Sequence, residues 1–236
     1  MSELEALESR HSVRKYTDRP LDRETVARLR HMIDEINAEG QLHMQLVTDE
    51  PGAFSSWLAY GAFTNVSNYV MVIGRKSPSL DYRAGYYTER LVLAVQQMGL
   101  NTCIVGLTYK KIAGTFTLGD GGTVVCCIAV GYGADDGRRH KVKTVGQVSN
   151  AGVDTPRWFT AGVEAALKAP TAINQQKFFF EYIAPAAAGQ KAGVRASRKV
   201  SLAGYTKVDL GIAMYNFEVG AGRDNFTWID SPLQSN

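Results

Sequence analysis

The sequence predicts an α+β fold, and two observations carry this expectation. The order helix, strand, buried helix, strand occurs twice in 236 residues, before and after a turn-rich stretch over 131–137. The helices are too few to provide the crossover connections that a strictly alternating parallel sheet would need. We therefore expect sheets flanked by helices in two successive halves, which we place at 1–150 and 151–236.

The first half is predicted from hydrophobic periodicity. Apolar residues at helical spacing, preceded by Asp22 as a candidate N-cap and followed by Gly40 as a stop, indicate a helix. A near-continuous apolar run at 123–130 indicates a central strand buried on both faces. In chain order the predicted elements are a helix over 21–38, strands over 42–46 and 69–73, a buried helix over 87–98 closed by Gly99, and the strand over 123–130.

The second half repeats this order in a shorter form. Pro156 suits a first helical turn, with Thr155 as its cap. Phe178, Phe180 and Tyr182 alternate as on one side of a strand. The predicted elements are a helix over 156–167, a strand over 178–182, a buried helix over 205–219 and a short strand over 226–229. No counterpart of the long buried strand is predicted here.

Composition narrows the class of protein. The net charge of +3 argues against a nucleic-acid binder that neutralises many phosphates, and no apolar run approaches the ~20 residues that span a bilayer. The first eight residues hold three glutamates, which does not fit a secretory signal. Three cysteines, two of them adjacent, do not suggest a disulfide framework. We expect a cytoplasmic protein without a membrane partner.

A cationic cluster near the start is the first candidate for a binding site. It comprises Arg10, His11, Ser12 and Arg14. Guanidinium groups are planar forks suited to bidentate contacts with phosphate or with carbonyl-rich rings. A solvated basic segment leading into a helix is an equally good interpretation of the cluster taken alone.

A second candidate lies 160 residues later. Pro170 ends a predicted helix, and the small residues Thr171 and Ala172 would let a planar ring approach the backbone. Asn174 offers a donor and an acceptor, which matches a pyrimidine edge. The alternative is a helix exit with an Asn-stabilised turn before a strand.

Other motifs are weaker or missing. Gly106, after the buried helix, permits close approach to a ligand, although a plain connection is the commoner explanation. The basic run 138–143 is either a solvated loop or a second set of phosphate ligands. No P-loop, no GxGxxG after a strand, no GxSxG elbow and no metal-ligand spacing among the four histidines occurs.

Taken together, these segments resemble the FMN-dependent nitroreductase family. The stretch from Arg10 to Arg14 resembles its N-terminal Arg-(Arg/His)-Ser-x-(Arg/Lys) signature. The stretch from Pro170 to Gln176 resembles its Pro-Ser-Ala-x-Asn-x-Gln motif. The segment 99–106 resembles the stretch after the long core helix, and 130–133 followed by Lys141 and Lys143 resembles the late strand and basic tail.

The order of the motifs departs from the family pattern. Typical members carry the Pro-Ser-Ala motif soon after the first helix, and their homodimers build each flavin site from both subunits. Here the corresponding place, 37–41, lacks the motif, which occurs only in the second half. The resemblance therefore implies two pseudo-symmetric halves fused in one chain, with mostly antiparallel sheets, one flavin site, and a monomer as a plausible state. A permuted order within a single repeat is the alternative, which the restart of the pattern after residue 150 disfavours.

The resemblance also implies roles for single residues. Arg10, Ser12, Lys141 and Lys143 would hold the FMN phosphate or ribityl chain, with His11 packed beside them. Arg14 would lie near the N1–O2 edge and stabilise charge on the reduced ring. Pro170, Thr171, Ala172 and Asn174 would line the ring, and Val105 and Gly106 would face its N5–O4 edge. Candidates for an aromatic cover are Trp57, Phe63 and Tyr109.

The function implied is a reductase that passes a hydride from NAD(P)H through FMN to an electron-poor acceptor such as a nitroaromatic or quinone. The isoalloxazine would carry the redox chemistry, so no catalytic side chain is predicted. Two alternatives stay open at this point. One is a flavin-binding scaffold without significant turnover, and the other is a flavin-free hydrolase or transferase.

Overall fold

The structure, a computed structural model, describes residues 1–55, 63–137, 141–187 and 189–234. Its helices are α1 (Glu3–Ser9), α2 (Arg23–Gly40), α3 (Leu80–Gln97), α4 (Val145–Val148), α5 (Arg157–Ala166) and α6 (Thr206–Ala221). Its strands are β1 (Gln45–Val47), β2 (Asn68–Arg75), β3 (Asn101–Val105), β4 (Gly122–Gly131), β5 (Phe178–Ile183), β6 (Ala192–Arg198) and β7 (Phe226–Trp228). The predicted α+β class is confirmed.

The strands form two sheets, one in each part of the chain. The first has the order β1-β2-β4-β3 with every neighbouring pair antiparallel. The second has the order β5-β6-β7, in which β5 and β6 are antiparallel and β6 and β7 are parallel. The expectation of mostly antiparallel sheets therefore holds.

The predicted central strand is buried on both faces. Cys126 belongs to the apolar cluster under α2 and α3, whereas Cys127 belongs to the cluster on the opposite face of the sheet. Side chains of adjacent strand residues point to opposite faces, so this is the arrangement that the apolar run predicts. In the second part, Phe178 and Phe180 share one buried cluster with α6, as their alternation indicates.

Helices α3 and α6 pack against each other through glycine. A methyl group built on Gly85 would lie 2.0 Å from the carbonyl oxygen of Val208, and one on Gly211 would lie 2.0 Å from that of Tyr82. Since a real Cβ never approaches so closely, only glycine permits this contact between the two backbones. The contact is reciprocal, because each glycine touches the backbone three residues before its counterpart.

Several elements differ from the sequence-based expectation. Helix α3 begins at Leu80 and not at 87. The prediction missed its first turns because polar side chains there interrupt the apolar periodicity. One of them, Arg83, is buried and donates to the carbonyl oxygen of Gly40 at 3.0 Å. Helix α1 was not predicted, although Ser2 and Glu5 form a capping box at its start.

Two strands were also missed or misjudged. The segment predicted as a connection after the buried helix is β3, which pairs with β4. Strand β6 mixes glycine and arginine with apolar residues, and its neighbours β5 and β7 supply the pairing that its composition does not suggest. Pro156 is the N-cap of α5 and not part of its first turn.

Within the described ranges, no helix is both long enough and apolar enough to cross a membrane. Val148 of α4 precedes the predicted boundary at residue 150, and it packs in the apolar cluster of the second sheet. The division at residue 150 stays a prediction.

Candidate active site

A cavity of about 1100 Å³ lies where the predicted site segments meet. Its walls come from the residues after α1, the end of β3, the segment after α5 and the start of α6. All predicted site residues except Lys141 and Lys143 line it, namely Arg10, His11, Ser12, Arg14, Val105, Gly106, Pro170, Thr171, Ala172 and Asn174. Stretches that lie 160 residues apart in the sequence thus face one space.

The N-terminal segment is held along β3. Ser12 forms a parallel bridge with Thr102, and the N–H of Val13 donates to the carbonyl oxygen of Thr102 at 3.0 Å. This extended backbone places Arg10 and Arg14 on the cavity wall. Their side chains therefore have a fixed base, although that of Arg14 is exposed.

Arg10 is incompletely bonded. Its guanidinium makes two long contacts, to the carbonyl oxygen of Lys168 at 3.3 Å and to Oγ of Ser12 at 3.4 Å. Its Nε is buried without a hydrogen-bond partner in the described part of the chain. Such a group is costly in a folded protein unless a ligand or water satisfies it.

The segment after α5 has a strained backbone. Ile173, Asn174 and Gln176 all have left-handed φ values, of 47°, 55° and 45°. A β-branched residue in this region is a conformational outlier. The strain therefore lies in the loop that forms one wall of the cavity.

Asp209, in the first turn of α6, holds this loop and was not predicted from the sequence. Its Oδ1 accepts from the N–H of Ala172 at 2.9 Å, and its Oδ2 accepts from Nε2 of Gln175 at 2.6 Å. Burial raises the pKa of Asp209 to about 6, and these two donors oppose that rise. Nothing in the spacing of the sequence connects residue 209 to the loop at 172–175.

The two predicted lysines contact the same loop and do not line the cavity. Nδ2 of Asn174 donates to the carbonyl oxygen of Lys141 at 2.7 Å. The Lys143 ammonium donates to the carbonyl oxygens of Gln175 and Gln176 at 3.0 and 2.5 Å. Their predicted phosphate contacts stay a prediction, and what the structure shows is support of the loop.

The end of β3 meets an aromatic side chain that the sequence did not suggest. A methyl group on Gly106 would lie 2.6 Å from Cζ of Tyr205, the left-handed N-cap of α6. Tyr205 and Phe63 line the cavity, whereas Tyr109 is buried outside its wall. Trp57 lies outside the described residues, as do positions 138–140 of the basic run.

Cys103 also lines the cavity. Its thiol is buried and forms no disulfide. Burial raises the pKa of the thiol, and the charges of Arg14 and Arg10 partly offset this rise. A raised pKa disfavours the nucleophilic thiolate. The interpretation of Cys103 as a small buried residue is therefore preferable to a redox role.

Comparison with known proteins decides the family. The family described as "Putative TM nitroreductase" matches residues 3–221. The chain belongs to this nitroreductase family. The predicted resemblance to nitroreductases is thereby confirmed at the level of the family.

Solved structures show the same fold at low sequence identity. A "putative nitroreductase" from Thermotoga maritima has a TM-score of 0.63 at 20% identity, over 95% of this chain and 85% of that one. A nitroreductase family protein from Streptococcus pneumoniae has a TM-score of 0.50 at 14% identity, over 62% of this chain and 98% of that one.

A third structure, a "putative nitroreductase" from Desulfovibrio desulfuricans, is a complex with FMN. It has a TM-score of 0.47 at 15% identity, over 66% of this chain and 98% of that one. No curated protein matches the nitroreductase sequence described here.

Proposed function

We propose that this protein binds FMN and passes a hydride from NAD(P)H to an electron-poor acceptor such as a nitroaromatic or quinone. The observation that carries the proposal is the shared cavity of Arg10, Ser12 and the segment 170–174. Ligand pockets for drug-sized molecules typically measure about 300–1,000 Å³. A cavity of about 1100 Å³ leaves room for a flavin and a second planar molecule beside it.

The side chains at one end of the cavity fit a phosphate. Arg10 and His11 bring cationic or potentially cationic groups to its wall, Ser12 adds a hydroxyl, and the ammonium of Lys168 is paired with Glu8 at 3.1 Å. The unsatisfied Nε of Arg10 and its two long contacts leave donor capacity for an anion. Charge-assisted bonds from a guanidinium to phosphate are among the stronger hydrogen bonds in proteins.

The middle of the cavity fits a planar ring. Pro170, Thr171 and Ala172 are small or flat and half-buried, so a ring could lie against them. Val105 and Gly106 at the end of β3 line the same cavity, with Tyr205 beside Gly106. FMN would supply the hydride-accepting ring, and the chain would bind it, orient it and place the positive charge of Arg14 near it.

We also propose that the two halves are pseudo-symmetric, and three features support this. Gly85 of α3 and Gly211 of α6 make reciprocal contacts, as a two-fold relation between these helices requires. Strands β1 and β2 precede α3 as an antiparallel pair, and β5 and β6 precede α6 in the same way.

The strand after each of these helices completes the comparison. Strand β3 runs parallel to β2 with β4 between them, and β7 pairs directly with β6 in the parallel sense. The second half therefore matches the first half without β4. One flavin per chain and a monomeric state follow from this proposal. Because its three cysteines are unpaired, we propose a reducing, cytoplasmic location.

The test measures flavin binding first and reduction second. The purified chain is titrated with FMN to obtain stoichiometry and Kd, and the loaded protein is mixed anaerobically with NADH or NADPH. We expect one FMN per chain and a fall of the oxidised flavin absorbance. Loss of binding would refute the proposal, and binding without reduction would favour a scaffold without turnover.

A matched pair of variants tests the assigned phosphate end. Arg10→Ala removes charged hydrogen bonds of about 1.5–3 kcal/mol, which predicts an about 10- to 150-fold weaker Kd for FMN. Lys111→Ala removes an exposed cation that does not line the cavity and has no predicted role in the site, and it should change the Kd less than about threefold. Equal effects of both variants would place the phosphate elsewhere.

A further inference from the structure

A buried polar cluster lies behind the N-terminal wall of the cavity. It consists of Glu89 in α3, Asn216 in α6 and Arg10, and the first two side chains are fully buried. Neither carboxylate oxygen of Glu89 and neither amide atom of Asn216 has a hydrogen-bond partner in the described ranges, and the same holds for Nε of Arg10. Buried polar groups are rarely left without partners, so this cluster needs a physical explanation.

The packing of α1 brings these groups together. Leu7 of α1 and Leu93 of α3 belong to one buried apolar cluster. Glu89 precedes Leu93 by one helical turn, and Arg10 follows Leu7 by three residues. Both residues thus extend from this contact between α1 and α3, and the charge of Arg10 acts on the carboxyl group of Glu89. Burial raises the pKa of Glu89 to about 7, while the charge of Arg10 and the amide of Asn216 oppose the rise.

We propose that Glu89 is a buried counter-charge for Arg10 and that it takes up a proton when Arg10 binds a phosphate-bearing ligand. The inference rests on the proposed function, because it takes Arg10 as a phosphate ligand. In the free protein the guanidinium stabilises the carboxylate. A phosphate dianion at Arg10 compensates that positive charge, so the buried carboxylate loses its main stabilisation and binds a proton from solvent.

Other charged groups near this end must be separated from the effect. Glu8, His11, Glu164 and Lys168 line the cavity beside Arg10. Arg90, next to Glu89 in the sequence, forms its ion pair with Glu39. His11 is the group that could imitate the effect, since a histidine near a phosphate also gains a proton. The phosphate itself would release protons on binding to arginine, which is the opposite sign.

The experiment counts protons during FMN binding. Calorimetric titrations of wild type, Glu89→Gln and His11→Gln at pH 8, in two buffers of different ionisation enthalpy, give the number of protons taken up. Because the pKa of Glu89 is about 7 in the free protein, about nine-tenths of this carboxyl group is ionised at pH 8. Wild type should therefore take up as much as about 0.9 proton per FMN. We expect Glu89→Gln to lose most of this uptake and His11→Gln to keep most of it.

The pH dependence of affinity provides a second measure. The complex holds more protons than the free protein, so the Kd of wild type for FMN should rise by as much as about tenfold per pH unit above pH 7. Glu89→Gln should lack this slope. Riboflavin, which has no phosphate, should bind wild type without proton uptake, and this comparison decides the matter if Glu89→Gln does not fold.

The possible results separate the two proposals. Uptake that persists in Glu89→Gln, or that is equal for riboflavin and FMN, overturns the role of Glu89. FMN binding without any proton uptake also overturns it but leaves the proposed function standing. A wild-type protein that does not bind FMN overturns both.

Discussion

The reciprocal glycine contact between α3 and α6 gives the sharpest prediction about stability. Gly85→Ala and Gly211→Ala each place a methyl group 2.0 Å from a backbone carbonyl oxygen of the opposite helix. Ordinary contact begins near 3.4 Å, so the helices would have to separate by more than 1 Å. Overpacking costs about 1–3 kcal/mol, and backbone cannot move aside as a side-chain end can. We therefore take the upper end of this range, about 3 kcal/mol. Alanine recovers about 1 kcal/mol of helix propensity, which leaves a net loss of about 2 kcal/mol for each variant.

Urea unfolding followed by circular dichroism measures this loss. Both variants should lower the midpoint at an unchanged slope, and by similar amounts, because the two contacts are equivalent. The control is Gly146→Ala in α4, where nothing lies within 4 Å of the added methyl group. We expect this control to be neutral or slightly stabilising. If either interface variant is as stable as the control, the close approach of the two helices is wrong.

Two further predictions concern the loop that lines the cavity. The pKa of Asp209 is about 6 in the folded protein, above its reference of 3.8, so protonation favours folding and this contribution is lost as the pH rises from about 4 to about 6. The free energy of unfolding of wild type relative to Asp209→Asn should therefore fall by as much as about 3 kcal/mol across that window, and a constant difference would contradict the assignment. The left-handed backbone of β-branched Ile173 costs about 1–2 kcal/mol, and Ile173→Gly removes this strain. After the entropic cost of glycine is subtracted, the variant should be more stable than wild type by about 0.5–1 kcal/mol. Val153→Gly, at an exposed position without a positive φ, should instead destabilise by about 0.5–1 kcal/mol, and loss of stability in both variants would refute the strain at Ile173.

The sequence predicted the elements whose apolar pattern is regular. The buried run of β4 and the apolar stripe of α2 follow directly from hydrophobic periodicity, and both appear in the structure. Strand β6 could not be found in this way, because its pairing depends on neighbours supplied by distant parts of the chain. The first turns of α3 were missed for a related reason. From the sequence alone an arginine such as Arg83 is expected at the surface. It is buried because it donates to the carbonyl oxygen of Gly40, which only the fold brings near it.

The candidate site was predictable only as far as its motifs extend. The segments around Arg10 and Asn174 have recognisable residue patterns, and both line the cavity. Asp209, Tyr205 and Glu89 have none, because each is defined by what the fold places against it. A buried carboxyl group such as Glu89 looks like an ordinary helix-surface glutamate in the sequence. Only its full burial beside Arg10 distinguishes it.

The strained loop connects the packing of the helices to the shape of the cavity. Backbone strain of this kind persists only where surrounding contacts hold it, and it clusters at functional sites. Here Asp209 holds the loop from α6, and the hydroxyl of Thr171 accepts from the N–H of Gln176 at 3.1 Å. Asp209 lies two residues before Gly211, whose contact with α3 fixes the position of α6. The wall formed by 170–174 is therefore placed by the same helix contact that joins the two parts of the chain, so a shift of α6 would displace this wall relative to Arg10.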